Sequence, residues 1–327
     1  IVALPIVVAQ FLLVAHHYRA VAMALDMVAP ADAPAPSSEF VFLVPDLGPA
    51  TRDGIAYLRA IRPESVIALH IGAASDFRLA AAEWSMMAPR LGELRPLHDA
   101  DRHLVRAFRS FVRGRARPAD GFLTVIVPEN ASDRSLVQQI VHNRRLFLLK
   151  TTMLFEPGVV VTDVPLLPRE QVFTSGRPLE PERSVVIVPI SNVSYPTARA
   201  IAYAKSLHAV GVEALFLVTD NAEIRGVADA WIERGFDVPL VMVEAPFRDL
   251  GTPLLKEIHK LTDRGDTIVT VVLPELVPLR WWQSLLHGQT ALYFKRLLLF
   301  EPHVVVTSVP FHLRSPEVPE TGAPIRR

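Results

Sequence analysis

Hydrophobic positions along the second half of the chain fall into short continuous runs, separated by segments with helical spacing. Runs rich in Val, Ile and Leu predict strands at 185–189, 214–218, 238–244, 267–273 and 303–309. The intervening helical patterns cover 196–207, 222–235, 249–262 and 281–300. Continuous rather than alternating apolar runs are typical of parallel strands that are buried on both faces. The pattern therefore predicts an α/β fold with a doubly wound, five-stranded parallel sheet.

The same pattern occurs twice. Four ordered segments of the first copy recur at offsets of 144 to 146 residues. They are VFLVP at 41 and VVIVP at 185, TRDGIAY at 51 and TARAIAY at 197, TVIVPE at 124 and TVVLPE at 270, and FEPGVVVTDVP at 155 and FEPHVVVTSVP at 300. We therefore predict two tandem repeats, at 40–165 and 184–313, joined by a polar linker at 166–183 and followed by a disordered tail at 314–327.

The chain opens with 15 mostly apolar residues, followed by two histidines and then Tyr18 and Arg19. This run is shorter than the roughly 20 residues that span a bilayer. We interpret residues 1–25 as the C-terminal part of a transmembrane helix, with Tyr18 and Arg19 at the cytoplasmic interface. This interpretation predicts location in the cell membrane, with residues after about 20 on the cytoplasmic side. The alternatives are a packed or interfacial helix and a signal peptide, although a basic leader and a cleavage site are lacking.

Residues 26–39 are rich in Pro and Ala and are interpreted as a linker.

The charge balance, the composition and the missing motifs exclude several classes of function. Lysines and arginines number 34 and so do acidic residues, which argues against a nucleic-acid partner. The sequence has no cysteine, and its 11 histidines lack the spacing of metal ligands. Motifs of serine hydrolases, zinc proteases and P-loop proteins are absent. We therefore expect neither an enzyme nor a metal site.

We expect the strand order 3-2-1-4-5 in each repeat. A ligand would then bind where this order reverses, beyond the carboxyl ends of the first and fourth strands. In the second repeat, hydroxyl and amide groups precede a helix N-terminus at this point, and such a terminus attracts anions. Arginines end the third strand and open the last helix. The candidate ligand-binding residues are Ser191, Asn192, Ser194, Arg248, Glu275 and Arg280. The alternative is that the serines and Asn192 only cap the helix.

The first repeat is a poorer candidate for binding an anion. Its corresponding loop contains Asp46, whose carboxylate would repel a phosphate, and its crevice would include Glu129 and Arg134. Lys150 and Lys295 occupy equivalent helical positions. We expect these two lysines to be solvated or to extend their charged ends to solvent.

The five-stranded units resemble universal stress protein domains. The second repeat more closely resembles the cytosolic tail of bacterial permeases of the amino acid–polyamine–organocation superfamily, which includes a potassium-importing branch. The resemblance rests on VVIVPISNVS at 185, VVLPELVPLRWW at 271 and HVVVTSVP at 303. It implies a permease membrane domain upstream, a homodimer, and two repeats that pair through their last strands.

The resemblance also bears on the ligand. Universal stress proteins that bind ATP carry the motif G-x2-G-x9-G-[ST] after the fourth strand, whereas this chain has no glycine between Pro274 and Gly288. In the potassium-importing branch, the tail is similar to a receptor for cyclic di-AMP. The resemblance thus implies the regulatory region of an amino acid or potassium permease, with cyclic di-AMP as its regulatory ligand. The alternatives are a free-standing tandem universal stress protein that binds ATP and a purely structural dimerisation tail.

Overall fold

Ten strands form one sheet in the part of the chain that the structure describes. The computed structural model describes residues 36–115, 121–129, 144–165, 183–277 and 289–312. The strands are β1 Ser38–Val44, β2 Val66–His70, β3 Leu94–Pro96, β4 Phe122–Glu129, β5 Val159–Pro165, β6 Arg183–Ile190, β7 Gly211–Val218, β8 Leu240–Glu244, β9 Thr267–Val277 and β10 Val304–His312. Their order is β3-β2-β1-β4-β5-β10-β9-β6-β7-β8. The α/β class and the strand order 3-2-1-4-5 within each half are therefore confirmed.

Counted inwards from either edge, equivalent strands of the two repeats follow one another in the same order. An approximate twofold axis therefore relates the two halves. Neighbouring strands are parallel except at the centre, where β5 and β10 run antiparallel. Thr162 of β5 lies opposite Thr307 of β10, and these two residues are equivalent in the repeat. The sheet begins at Ser38 and resumes at Arg183, two residues and one residue earlier than the predicted repeat boundaries.

Eight α-helices within the described ranges cover the two faces of the sheet. They are α1 Pro49–Ile61, α2 Phe77–Met87, α3 Ala100–Arg113, α4 Arg144–Met153, α5 Tyr195–Ser206, α6 Glu223–Glu233, α7 Gly251–Thr262 and α8 Gln289–Leu298. We call the side with α1, α2, α5 and α6 the front face, because their buried residues share one core. The back face carries α3 and α4 over the first half and α7 and α8 over the second.

Side-chain alternation explains why the strands are apolar throughout. In β1, Phe40, Phe42 and Val44 belong to the front core, whereas Val41 and Leu43 belong to the back core. Both sides of each central strand are thus buried, as expected for a parallel sheet. The front core is continuous across the two halves, but the back face has a separate core in each half.

The predicted membrane segment at 1–25 lies outside the described residues, as does the predicted tail at 314–327. Within the described ranges, no helix combines the length and the apolar character needed to cross a bilayer. The last predicted helix, 281–300, is described from Gln289 and ends at Leu298.

Tyrosine and threonine hydroxyls cross the central junction on the front face. Thr124 of β4 donates a hydrogen bond to the hydroxyl of Tyr203 on α5, at 3.1 Å. Reciprocally, Thr270 of β9 donates to the hydroxyl of Tyr57 on α1, at 3.3 Å. The Thr162 and Thr307 hydroxyls lie 2.9 Å apart between them. Each half therefore donates a hydrogen bond to a buried tyrosine hydroxyl of the other half. All of these groups are buried.

This network leads to a stability prediction. Replacing Tyr203 by Phe should lower the free energy of unfolding by about 1 kcal/mol, because the buried Thr124 hydroxyl loses its partner. Chemical denaturation followed by circular dichroism measures the change. The control is Tyr293→Phe on α8, where the side chain is 45% exposed. Equal losses in the two variants would contradict the assigned role of the network.

The network also predicts an alkaline instability. Burial raises the pKa of Tyr203 from 10.0 to about 12, although the surrounding threonine hydroxyls partly oppose this rise. The folded protein thus holds the phenolic proton more tightly than the unfolded chain. The resulting stability is fully present below pH 10 and is lost as the pH rises towards 12. Denaturation curves at stepped pH should show this decline, and Tyr203→Phe should make it shallower. A decline of unchanged steepness in that variant would refute the assignment to Tyr203.

Candidate functional site

The loop between β6 and α5 contains three of the six candidate residues. Ser194 adopts an extended backbone conformation at the N-cap of α5 and is buried. Its hydroxyl lies 3.3 Å from that of Thr197, which in turn donates to the carbonyl oxygen of Asn192 at 2.8 Å. Ser194 therefore takes part in the internal bonding of the turn. Ser191 and Asn192 are exposed, so their side chains are accessible to a ligand at the helix N-terminus.

The matching loop of the first half carries an acidic side chain, Asp46, at this position. Thr51 donates to the carbonyl oxygen of Asp46 at 2.7 Å, which makes Asp46 the structural equivalent of Asn192. The Asp46 carboxylate accepts a hydrogen bond from the backbone of Gly48, also at 2.7 Å. A negative side chain thus lies next to the positive end of α1. The second half has a neutral amide in its place, and this difference favours the second half for binding an anion.

Glu275 lies near the carboxyl end of β9, which is the strand next to β6. The parallel pairing of these two strands ends at Ile187 and Val271, four residues before Ser191 and Glu275. The Glu275 carboxylate accepts a hydrogen bond from Lys295 of α8 at 2.6 Å. Its charge is therefore balanced, and the crevice carries no isolated carboxylate at this position.

A related but more acidic cluster occupies the first half. Lys150 of α4 forms ion pairs with Glu129 at the end of β4 and with Asp163 of β5, the latter at 3.0 Å. Burial raises the pKa of Glu129, and its attraction to Lys150 offsets this only in part. Lys295 of the other half also favours the ionised form of Glu129. Burial opposes the charge of Lys150, but Asp163 and Glu129 outweigh it and raise the pKa of this lysine.

The expectation that Lys150 and Lys295 are solvated is wrong. Their side chains are only 20% and 23% exposed, and each pairs with the glutamate at the end of the fourth strand of its half. Pairing with these carboxylates, rather than solvation, accounts for the position of the two lysines. The sequence contained a clue, because the glutamate and the lysine recur at separations of 21 and 20 residues.

Of the two candidate arginines, the described ranges include Arg248, which lies away from this crevice. Arg248 follows β8 at the outer edge of the sheet, and β7 lies between that strand and β6. Phe247 and Arg248 both have left-handed backbone angles, with φ of 57° and 59°. Next to them is an open cavity of about 340 Å³ that includes Asp220 and Glu244, whose carboxylates disfavour a phosphate. Arg280 lies outside the described residues. Arg134, which was predicted together with Glu129 for the crevice of the first half, also lies outside them.

The two lysines should differ in how much each contributes to the stability of the fold. Replacing Lys150 by Met should lower the free energy of unfolding more than Lys295→Met, because it leaves two partly buried carboxylates without their cation. We expect a loss of about 3 kcal/mol for Lys150, as for breaking a buried ion pair. Thermal and denaturant unfolding of both variants measure the difference. A larger loss for Lys295→Met would show that the second cluster is the more important one.

Comparison with known proteins identifies the family. A profile described as KimA potassium transporter C-terminal domain matches the chain twice, over residues 37–166 and 182–311. These ranges coincide closely with the two halves of the sheet. The potassium transporter KimA of Bacillus subtilis (strain 168) is 27% identical over 140 residues, which are 42% of this chain and 23% of that protein. The matched part is thus less than a quarter of the relative's length. The chain belongs to the KimA potassium transporter C-terminal domain family.

Proposed function

We propose that this chain is the regulatory C-terminal region of a membrane potassium transporter. The observation that carries the proposal is the double match to the transporter-domain family, one match for each half of the sheet. On this proposal, residues 1–25 connect the region to a permease membrane domain upstream. The described residues then lie on the cytoplasmic side, each half is a universal stress protein-like unit, and the region forms a homodimer.

We further propose that the region senses cyclic di-AMP at the crevice between β6 and β9. Three features of the described residues support an anionic ligand there. Ser191 and Asn192 are exposed in the loop that leads to the N-terminus of α5. The carboxylate that occupies the equivalent place in the first half is absent from the second half, where Asn192 is neutral. Lys295 balances the carboxylate of Glu275 near the end of β9. Helix N-termini with these properties commonly bind phosphates.

In this proposal Arg280 supplies the strongest single contact. A guanidinium group can donate two parallel hydrogen bonds to a phosphate. Ser191 and Asn192 would add neutral donors, whereas Ser194 shapes the loop. ATP is the less favoured ligand, because the chain lacks the glycine motif after its fourth strand. Arg248 would contact a ligand only if that ligand extended across the end of β7.

Isothermal titration of the 327-residue chain in detergent with cyclic di-AMP and, separately, with ATP tests the proposal. Arg280→Ala should weaken cyclic di-AMP binding about ten- to a hundred-fold, as expected for a lost hydrogen bond to a charged group. Arg134→Ala removes the arginine at the equivalent position of the first repeat and should leave the affinity unchanged. Asn192→Ala should have a smaller effect than Arg280→Ala.

A charge substitution sharpens this test. Asn192→Asp introduces into the second half the carboxylate of the first, and should weaken binding about tenfold or more by repelling the phosphates. Asp46→Asn is the reciprocal control and should not weaken it. Tight binding of ATP that survives Arg280→Ala would overturn both the ligand and the site. Binding of neither nucleotide would leave the structural dimerisation role as the better description.

A further inference from the structure

Charge is segregated between the two faces of the sheet. The helices of the back face (α3, α4, α7 and α8) contain eleven lysines and arginines but two acidic residues. Four of the eleven, Arg109, Arg113, Lys150 and Lys295, pair with carboxylates outside these helices, and the other seven remain in excess. The helices of the front face contain six basic and five acidic residues. Because the whole chain has equal numbers of both signs, this asymmetry reflects the placement of charges rather than the composition.

The arginines of α3 point away from the core. This helix buries Leu104, Phe108 and Val112 against the sheet. After the kink at His103, helical geometry places the opposite surface about half a turn away, where the exposed Arg106, Arg109 and Arg113 lie. Arg102, which precedes the kink, is exposed as well. Arg109 and Arg113 also hold the buried Glu156, at 2.6 and 3.0 Å, and keep 44% and 63% of their side chains exposed. The outward surface of α3 is therefore basic along its length.

Exposed apolar side chains occupy the centre of the same face. Phe147 and Leu148 of α4 are 43% and 47% exposed, and the equivalent Leu292 and Tyr293 of α8 are 63% and 45% exposed. The approximate twofold axis places the two pairs on either side of β5 and β10. The back face thus combines a central apolar strip with basic helices at its sides. This combination is typical of surfaces that bind anionic membranes, since apolar groups enter the interface and basic groups attract the headgroups.

We propose that the back face docks onto a membrane surface that contains anionic lipids. A second copy of the chain is a poorer partner for this face, because two surfaces with the same excess of positive charge repel each other. The inference goes beyond the proposed function and relies on it only for the proximity of a membrane. Vesicle binding requires no nucleotide, and nucleotide titration requires no vesicles, so the two proposals can fail separately.

The test measures binding of the 327-residue chain to vesicles of phosphatidylcholine alone and to vesicles in which about a third of the lipid is phosphatidylglycerol. The N-terminal apolar residues would bind both bilayers similarly, so the ratio of the two affinities is the readout. We expect wild type to prefer the anionic vesicles. Arg102→Gln combined with Arg106→Gln should reduce that preference about thirty-fold, at about 1 kcal/mol for each charge near the surface.

A matched control separates docking from net charge. Arg78→Gln combined with Arg225→Gln removes two exposed arginines from α2 and α6 of the front face. These charges lie across the sheet, beyond the screening length of about 8 Å in physiological salt, and their removal should alter the preference little. Phe147→Ser combined with Leu148→Ser should weaken anionic-vesicle binding without changing the net charge.

Three results would overturn the proposal. One is equal affinity of wild type for the two kinds of vesicle. Another is an equal loss of preference in the front-face and back-face arginine variants. The third is a DNA duplex that binds the back face as tightly as the anionic vesicles do in the same salt, which would indicate a nucleic-acid surface instead.

Discussion

The antiparallel pairing of β5 with β10 is the interaction on which the rest of this structure depends. Each half alone would end in an apolar strand with unpaired backbone groups, which is an aggregation hazard in water. Joining the two edges gives one sheet with a continuous front core. The hydroxyls of Tyr57 and Tyr203 then accept hydrogen bonds from Thr270 and Thr124 of the partner half. A single chain thereby builds the equivalent of a symmetric dimer.

Near-symmetry also makes the differences between the halves informative. The two loops that follow the first strands share the threonine hydrogen bond to a loop carbonyl. They differ in the side chain next to the helix N-terminus, which is Asp46 in one half and Asn192 in the other. Likewise, Lys150 balances two carboxylates and Lys295 one. Duplication preserved the framework, whereas the charge around each crevice diverged, and this divergence favours the second half for binding an anion.

Much of the site depends on contacts that no local pattern contains. The sequence correctly placed Ser191 and Asn192 before a helix and Glu275 at the end of a buried strand. It suggested solvated lysines, however, because a lysine in a helical pattern is usually exposed. Burial of Lys150 requires Asp163, which belongs to the following strand, and Glu129, which belongs to the preceding one. Only the folded sheet brings three such distant residues together.

The sequence by itself determined the fold class, the duplication and the strand order within each half, because continuous apolar runs and right-handed crossovers leave few alternatives. It also marked the loop where the two halves differ in charge. The tertiary structure decided which hydroxyls meet across the junction, which carboxylates the lysines balance, and which face collects the basic helices. Those outcomes depend on the direction in which each side chain leaves a packed element. The packing of the helices on the sheet sets that direction. The spacing of residues along the chain does not specify which side chains then meet in space.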